Sequence, residues 1–214
     1  MSYPVAFDIA RGVCLVVGGG RVAGRKVEGL ISAGGRVKVV APRISEALSG
    51  FEREGSVEIV RRTFTPGDVS GAMLVFAATD DPEVNEAVVG AARAAGVPVN
   101  SADGEGDFNV PAVLRFGEVT IAVDTGGNSP ALAAWIRDGL AKTAPEGLAE
   151  LAGTVGKMRE ARSGGISPEA WRTLFDSGFP GDLARGDREA AAAKADRILG
   201  VEASPETGKG RDLT

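Results

Sequence analysis

Histidine is absent from this 214-residue chain, and cysteine occurs once. Without His, the commonest metal ligand and the commonest general base are missing, so proton transfer falls to a carboxylate, Lys or Tyr, and any metal site must be oxygen-rich. A single cysteine excludes a disulfide within the chain. Cys14 lies inside the apolar run "VCLVV" and is expected as a buried core thiol. Positive charge is in deficit, with 24 Lys and Arg against 29 Asp and Glu. A net charge of -5 argues against a nucleic-acid partner, which would call for a basic face. It leaves room for a local cluster of cations around a small anion. No apolar run reaches the ~20 residues of a membrane span, and "MSYPVAFDIARG" has no basic segment followed by an apolar core. A cytoplasmic location with no membrane partner is expected.

What the chain has in abundance is glycine, 31 residues of it, placed between short apolar runs. The runs at 13–17, 36–42, 57–62, 72–79 and 97–100 read as strands, with helical patterns at 21–34 and 82–96. Short apolar strands separated by helices imply a parallel sheet covered on both faces, a Rossmann-like α/β fold. After residue 107 the pattern changes. "FNVPAVLRFGEVTIAVDTGG" reads as two strands joined at Phe116-Gly117-Glu118, followed by a helix over 128–142 with Ser129 as N-cap and Pro130 at its first position. From about 145 the chain reads as helical: Leu148, Leu151, Val155 and Met158 share a stripe, Ser167-Pro168 opens a helix carrying Trp171, Leu174 and Phe175, and Asp187 opens an Ala-rich one. The expected organisation is a dinucleotide-binding domain over 1–108, a strand pair plus helix over 109–143, a helical domain over 144–200 and a polar, frayed tail over 201–214.

The stretch "VCLVVGGGRVAGRKVEGL" places Gly18, Gly20 and Ala23 as G-x-G-x-x-A between a strand and a helix. Gly18 permits the tight turn, Gly20 lets a pyrophosphate reach the backbone, and Ala23 lets the helix sit close to the sheet. Gly19, Arg21 and Val22 complete this expected cofactor loop at a helix N-terminus that favours phosphate. The second strand ends in Ala41 and Pro42 rather than the acid that binds a ribose hydroxyl. Arg43 follows, a residue type that can receive a 2′-phosphate, so these residues leave NAD and NADP both open.

Ligands of open α/β sheets gather outside the carboxyl ends of the strands. The fourth strand delivers Thr79, Asp80 and Asp81 there, and the fifth delivers Asn100, Ser101 and Asp103. Asp80 and Asp81 also suit a capping role for the helix beginning at Pro82, and Asn85 reads as a surface residue of that helix. Asp103 is the best-placed proton acceptor in a chain without histidine. "DTGGNSPALA", residues 124–133, is a second glycine-rich turn entering a capped helix, and its amides suit carboxylates.

Taken together, "LVVGGGRVAGRKVEGLISAGGRVKVVAP", "FAATDDPEVNEAV" and "VNSADGEGDFNVPAVLRFGEVTIAVDTGGNSPALAAWIRDGLA" resemble the precorrin-2 dehydrogenase family of siroheme biosynthesis, over residues 3 to about 142. Some members stand alone, and others form the N-terminal part of a siroheme synthase. The resemblance implies a Rossmann domain, a central dimerisation region, a C-terminal helical domain and a homodimer. It implies NAD⁺-dependent oxidation of precorrin-2, a polycarboxylate tetrapyrrole, to sirohydrochlorin, and it favours NAD over NADP because the family reads V-x-V-V-A-P at the second strand. Asp103 matches the family's essential aspartate, which in some members is also implicated in inserting iron. No resident metal is implied. The cofactor would lie on Gly18 to Ala23, Ala41, Pro42, Thr79, Asp80 and Asn100, and the substrate carboxylates on Thr125, Gly126, Gly127, Asn128 and Ser129. Thr125 stands where multifunctional members carry a phosphorylated serine. Asp124 replaces a usual Ser and makes the loop less welcoming to an anion. The competing reading is an NAD-binding regulatory sensor without turnover. Such a sensor needs neither a proton acceptor nor a second anion-binding loop.

Overall fold

The computed structural model describes residues 3–104, 106–162 and 165–200. The expected frayed tail, 201–214, lies outside them. The chain forms two compact units that divide between Val110 and Pro111.

The first unit is built on five parallel strands: β1 (Val13–Val17), β2 (Arg36–Val40), β3 (Val57–Val60), β4 (Ala72–Ala77) and β5 (Val99–Ser101). Their spatial order is β3-β2-β1-β4-β5, so the strand order reverses between β1 and β4. Helices α1 (Arg21–Ser32), α2 (Glu46–Arg53) and α3 (Pro82–Ala94) make three of the crossovers. A 3₁₀ turn, Pro66–Val69, lies on the connection from β3 to β4.

Alternation along β1 divides the core between the two faces. Cys14 and Val16 pack with Ala23, Val27 and Leu48 under α1 and α2, while Leu15 and Val17 pack with Val88 and Ala92 under α3. Cys14 is fully buried, as its apolar run implies, and burial pushes its thiol up. On the first face, the Phe76 and Phe108 rings meet edge to face with centroids 5.5 Å apart, and the Lys26 ammonium lies 5.9 Å from the Phe76 ring centroid. Burial pushes Lys26 down, with repulsion from Arg25 adding to it.

Four strands end differently from their apolar runs. β2 stops at Val40, before Ala41 and Pro42. β3 stops at Val60 because Arg61 and Arg62 turn to Glu52 and Asp68. β4 stops at Ala77, which leaves Thr79 for a side-chain network. β5 begins at Val99 and reaches Ser101.

The second unit opens with an antiparallel pair, β6 (Ala112–Phe116) and β7 (Val119–Val123), turning at Gly117 with φ 58°. Helix α4 (Pro130–Thr143) packs on both strands. Ser129 caps it, accepting from the Leu132 N–H, with Pro130 at its start as the sequence implied. Leu132, Trp135 and Leu140 of α4 remain exposed, Trp135 by 74%. Helices α5 (Leu148–Glu160), α6 (Pro168–Asp176), α7 (Phe179–Ala184) and α8 (Arg188–Leu199) enclose a separate core around Leu174, Phe179, Leu183 and Ala195. The α7 carboxylate of Asp182 is buried there and bonds Arg185 and Lys194. Among the described residues no helix is long and apolar enough to cross a membrane.

Candidate functional site

The carboxyl ends of β1, β2, β4 and β5 bring the glycine loop, Ala41, Thr79 and Asn100 to one end of the sheet. The three glycines do different work. Gly18 has φ 127°, and a Cβ there would lie against the Ala78 carbonyl, with Thr79 N 3.1 Å away. A Cβ on Gly19 would overlap the Arg43 carbonyl oxygen, and the Gly19 carbonyl accepts from Ser45 N–H at 2.8 Å. These two glycines let neighbouring chain segments close over the strand ends. Gly20 is the contrast: a Cβ there meets nothing within 4 Å. Its backbone borders open space at the start of α1, where the first-turn amides have no helical acceptor. Such an opening fits a phosphate approaching main chain at a helix N-terminus. Ala23 is fully buried against the sheet, whereas Arg21 is exposed and Val22 half-buried.

At the end of β2, Ala41 is buried and its N–H donates to the Val60 carbonyl at 3.2 Å, while Pro42 and Arg43 are exposed. The Arg43 guanidinium has no ion pair among the described residues. Ser45 Oγ is the one buried side-chain polar atom among them with no hydrogen-bond partner. It sits beside Gly24, 4.0 Å from where a Cβ on that glycine would lie.

Asn85 organises the ends of β4 and β5. Its residue is 1% exposed, which corrects the expectation of a surface position on α3. Its Oδ1 accepts from the Thr79 N–H at 3.1 Å and lies 2.8 Å from the Thr79 hydroxyl. Its Nδ2 donates to the Thr79 carbonyl at 3.1 Å and to Asp103 Oδ2 at 2.9 Å. The Ser101 hydroxyl donates to Asp103 Oδ1 at 3.1 Å. Both carboxylate oxygens of Asp103 are therefore held from below, yet the residue remains exposed and keeps lone pairs for a proton. A groove of about 390 Å³ runs beside it, bounded by Ser101, Gly104 and the α3 residues Pro82, Glu86 and Arg93. The two aspartates before α3 separate in role. Asp81 caps the helix, accepting from Glu83 and Val84 N–H, while Asp80 is exposed and has no hydrogen bond among the described residues. Asn100 is buried, and its Nδ2 donates to the Phe108 carbonyl at 2.9 Å.

In the second unit, Thr125, Gly126, Gly127, Asn128 and Ser129 form one compact turn. Gly126 and Gly127 have φ of 63° and 80°. Two side chains of this turn donate within it, Thr125 Oγ1 to the Ser129 carbonyl and Asn128 Nδ2 to the Thr125 carbonyl, while Ser129 Oγ accepts from the Leu132 N–H of α4. Asp124 Oδ1 accepts from Gly126 N–H at 3.2 Å, so one amide suited to an incoming anion already faces a carboxylate.

A family model described as "Putative NAD(P)-binding" matches residues 5–112. The siroheme synthase of Pseudomonas putida is 37% identical over 93% of this chain, that of Pseudomonas paraeruginosa 36% over 92%, and that of Methylobacillus flagellatus 34% over 92%. The chain belongs to the family of the siroheme synthase N-terminal module and precorrin-2 dehydrogenase. It spans 44%, 43% and 44% of those three relatives, less than half of each. A solved structure, "SirC, precorrin-2 dehydrogenase", superposes with a TM-score of 0.70 over 94% of this chain and all of that one, at 24% identity. The likeness establishes the fold: a parallel Rossmann-like sheet with a C-terminal helical region.

Within the family frame, the residues present fit the pyrophosphate of a dinucleotide: an open Gly20 backbone at a helix N-terminus. Sequence reasoning missed the burial of Asn85, the contribution of Ser45 and the packing role of Gly19. The signal for Asn85 was its helical spacing, three residues after Pro82, which turns it back toward the strand end. Gly19 is read in the cofactor loop, but its packing role left no signal, because the segment it admits, Arg43 to Ser45, is remote in sequence. Ser45 did carry one, a Ser before an eight-residue helix, but α2 itself went unread because Ser49 and Gly50 interrupt its apolar stripe.

Proposed function

We propose that this chain oxidises precorrin-2 to sirohydrochlorin with NAD⁺ as hydride acceptor. The observation that carries the reading is Asp103, held through both oxygens by Asn85 and Ser101 at the strand ends that also bear the open glycine loop. Gly18 to Ala23 would hold the pyrophosphate, with Ala41 and Pro42 beside the adenosine half and Thr79, Asp80 and Asn100 toward the nicotinamide half. NAD⁺ supplies the two-electron acceptor. Asp103 would take, on a carboxylate oxygen, the proton that accompanies loss of hydride from a substrate ring C–H, so that precorrin-2 and NAD⁺ balance to sirohydrochlorin, NADH and one proton. A carboxylate fixed by two neutral donors meets the geometric need of a general base without a competing cation. The turn at Thr125 to Ser129 would hold substrate carboxylates in competition with its own bonds, since the Gly126, Asn128 and Ser129 amides already donate to Asp124 and Thr125.

A homodimer belongs to this reading. It is supported by the exposed Leu132, Trp135 and Leu140 on α4, an apolar surface that a second copy would cover. Arg43, whose guanidinium has no ion pair among the described residues, is the residue to watch for NADP. Calorimetry with both dinucleotides, followed by anaerobic addition of precorrin-2, tests the proposal. It predicts preference for NAD⁺ and stoichiometric NADH. NAD⁺ binding with no NADH formed would instead assign a sensing role. Adding Co²⁺ once oxidation is complete tests metal insertion, in which the ion is a substrate delivered at Asp103. A rate at the uncatalysed background would remove that activity.

A further inference from the structure

Helices α5 and α6 enclose a second groove, of about 600 Å³, wholly within the C-terminal unit. Helical spacing decides what faces it. Val155 and Arg159 lie one turn apart on α5, and Trp171, Arg172, Phe175 and Asp176 line it from α6. The Trp171 and Phe175 rings stack, with centroids 5.8 Å apart and planes at 16°. Phe175 is 40% exposed and Trp171 half-buried, so the stacked pair is open to solvent on its Phe175 side. Arg159 and Arg172 are exposed, and neither guanidinium has a hydrogen bond or ion pair among the described residues. By contrast, Arg162 bonds the Leu199 carbonyl, Arg185 bonds Asp182 and Arg188 bonds Glu150 in the same unit. The helical fold uses those arginines and leaves two beside an aromatic platform.

We propose that this groove binds a planar polycarboxylate, the tetrapyrrole of the proposed function, with its ring face on Trp171 and Phe175 and its peripheral carboxylates on Arg159 and Arg172. The chemistry matches on both counts. A parallel aromatic pair offers a face to a large π-system, and a guanidinium fork matches a carboxylate. Asp176 on the same rim is the one opposing charge, so the balance at the groove is two cations to one anion. The identity of the occupant rests on the proposed function, while the site itself lies outside the Asp103 groove and the glycine loop. It would give the helical unit a role in capturing or retaining the macrocycle.

The test is equilibrium dialysis of uroporphyrin III, a stable octacarboxylate macrocycle, against the full chain without NAD⁺. The double variant Arg159→Gln/Arg172→Gln should bind roughly ten-fold more weakly or lose one bound equivalent, the scale of one charge-assisted hydrogen bond. Asp176→Asn should bind more tightly. That direction distinguishes a ligand contact from a structural role. Trp171→Leu should weaken binding, and Trp171→Phe should restore most of it, which separates lost stacking from lost folding. NAD⁺ affinity should be the same in all of these variants. Unchanged uroporphyrin affinity and stoichiometry in the double variant would overturn the assignment, as would no binding by the native chain. A change in sedimentation without a change in uroporphyrin affinity would overturn it too, by making the groove a contact between copies. Groove-dependent macrocycle binding with no NADH from precorrin-2 would sink the proposed oxidation and leave this site standing. NADH formation with groove variants that bind normally would do the reverse.

Discussion

Two substitutions two residues apart should have opposite consequences. Gly18→Ala places an L-residue at φ 127° and drives its Cβ into the Ala78 carbonyl, between β1 and β4. Left-handed backbone costs an L-residue about 1–2 kcal/mol, and a close-packed overlap costs about 1–3 kcal/mol, so the total is roughly 2–5 kcal/mol. For a unit of about 110 residues, roughly 4 °C of Tm accompanies each kcal/mol, and the transition should fall by about 8–20 °C. Gly20→Val meets no atom of the chain and sits in extended backbone, φ -84° and ψ -168°, which a β-branched residue accepts. Its cost is confined to a poorer helix N-cap, no more than about 1 kcal/mol. Its methyl groups, however, occupy the opening where a pyrophosphate would reach the backbone, and NAD⁺ affinity should fall at least ~10-fold, or about 1.4 kcal/mol. Calorimetric unfolding and NAD⁺ titration of both variants separate the two effects. A Gly20→Val protein that binds NAD⁺ as the native chain does would refute the loop assignment. A Gly18→Ala protein with unchanged Tm would refute the steric argument.

Asn85→Ala should destabilise the first unit by about 1–3 kcal/mol, because the half-buried Thr79 amide loses its acceptor. The same variant should impair turnover beyond its effect on folding, since Asp103 loses one of its two donors, and single-turnover rates on the folded fraction check this. Asp68, almost fully buried, accepts from Arg62 and the Thr65 N–H, and these partners hold its carboxyl well below the usual carboxylate range. A depressed folded value means that its stabilisation is present above the ordinary carboxylate pKa and is lost as pH falls. Urea midpoints should therefore decline below about pH 4, and less steeply in Asp68→Asn; equal slopes would remove Asp68 from the account. Trp135→Glu places a charge in the exposed apolar face of α4 and should convert the proposed homodimer to monomer in sedimentation equilibrium, whereas a dimer of native strength would move the interface elsewhere.

The parallel sheet was legible because β1 and β4 are apolar on both faces and α1 and α3 carry their own start and stop residues. The hairpin and α4 were legible for similar local reasons: Gly117 at the turn, and Ser129-Pro130 at the helix start. What escaped were elements without a long stripe. Helix α7 has only six residues, contains Pro180 and Gly181, and is fixed by packing of Phe179 and Leu183 rather than by propensity. The candidate site was legible as a set of residue types at strand ends, but its wiring was not. Asn85 reaches Asp103 across 18 positions and Gly19 meets Arg43 across 24, and neither contact follows from any local pattern. The self-bonded turn at Thr125 to Ser129 was visible as a glycine-rich helix entry, whereas capture of the Gly126 amide by Asp124 was visible only in three dimensions.

Asp103→Asn tests the central claim most directly. The substitution preserves size, leaves the glycine loop untouched and removes the basic carboxylate; the Asn amide oxygen can keep the bond from Asn85 while its NH₂ turns to the Ser101 hydroxyl, which can accept. Single-turnover NADH formation, followed at 340 nm under anaerobic conditions with precorrin-2 and saturating NAD⁺, should slow at least ~100-fold, the lower end of what a positioned general base contributes. NAD⁺ affinity and Tm should stay near those of the native chain. A single-turnover rate within a few-fold of native would contradict the account: solvent would then be taking the proton, and the hydrogen bonds from Asn85 and Ser101 would serve only to shape a turn.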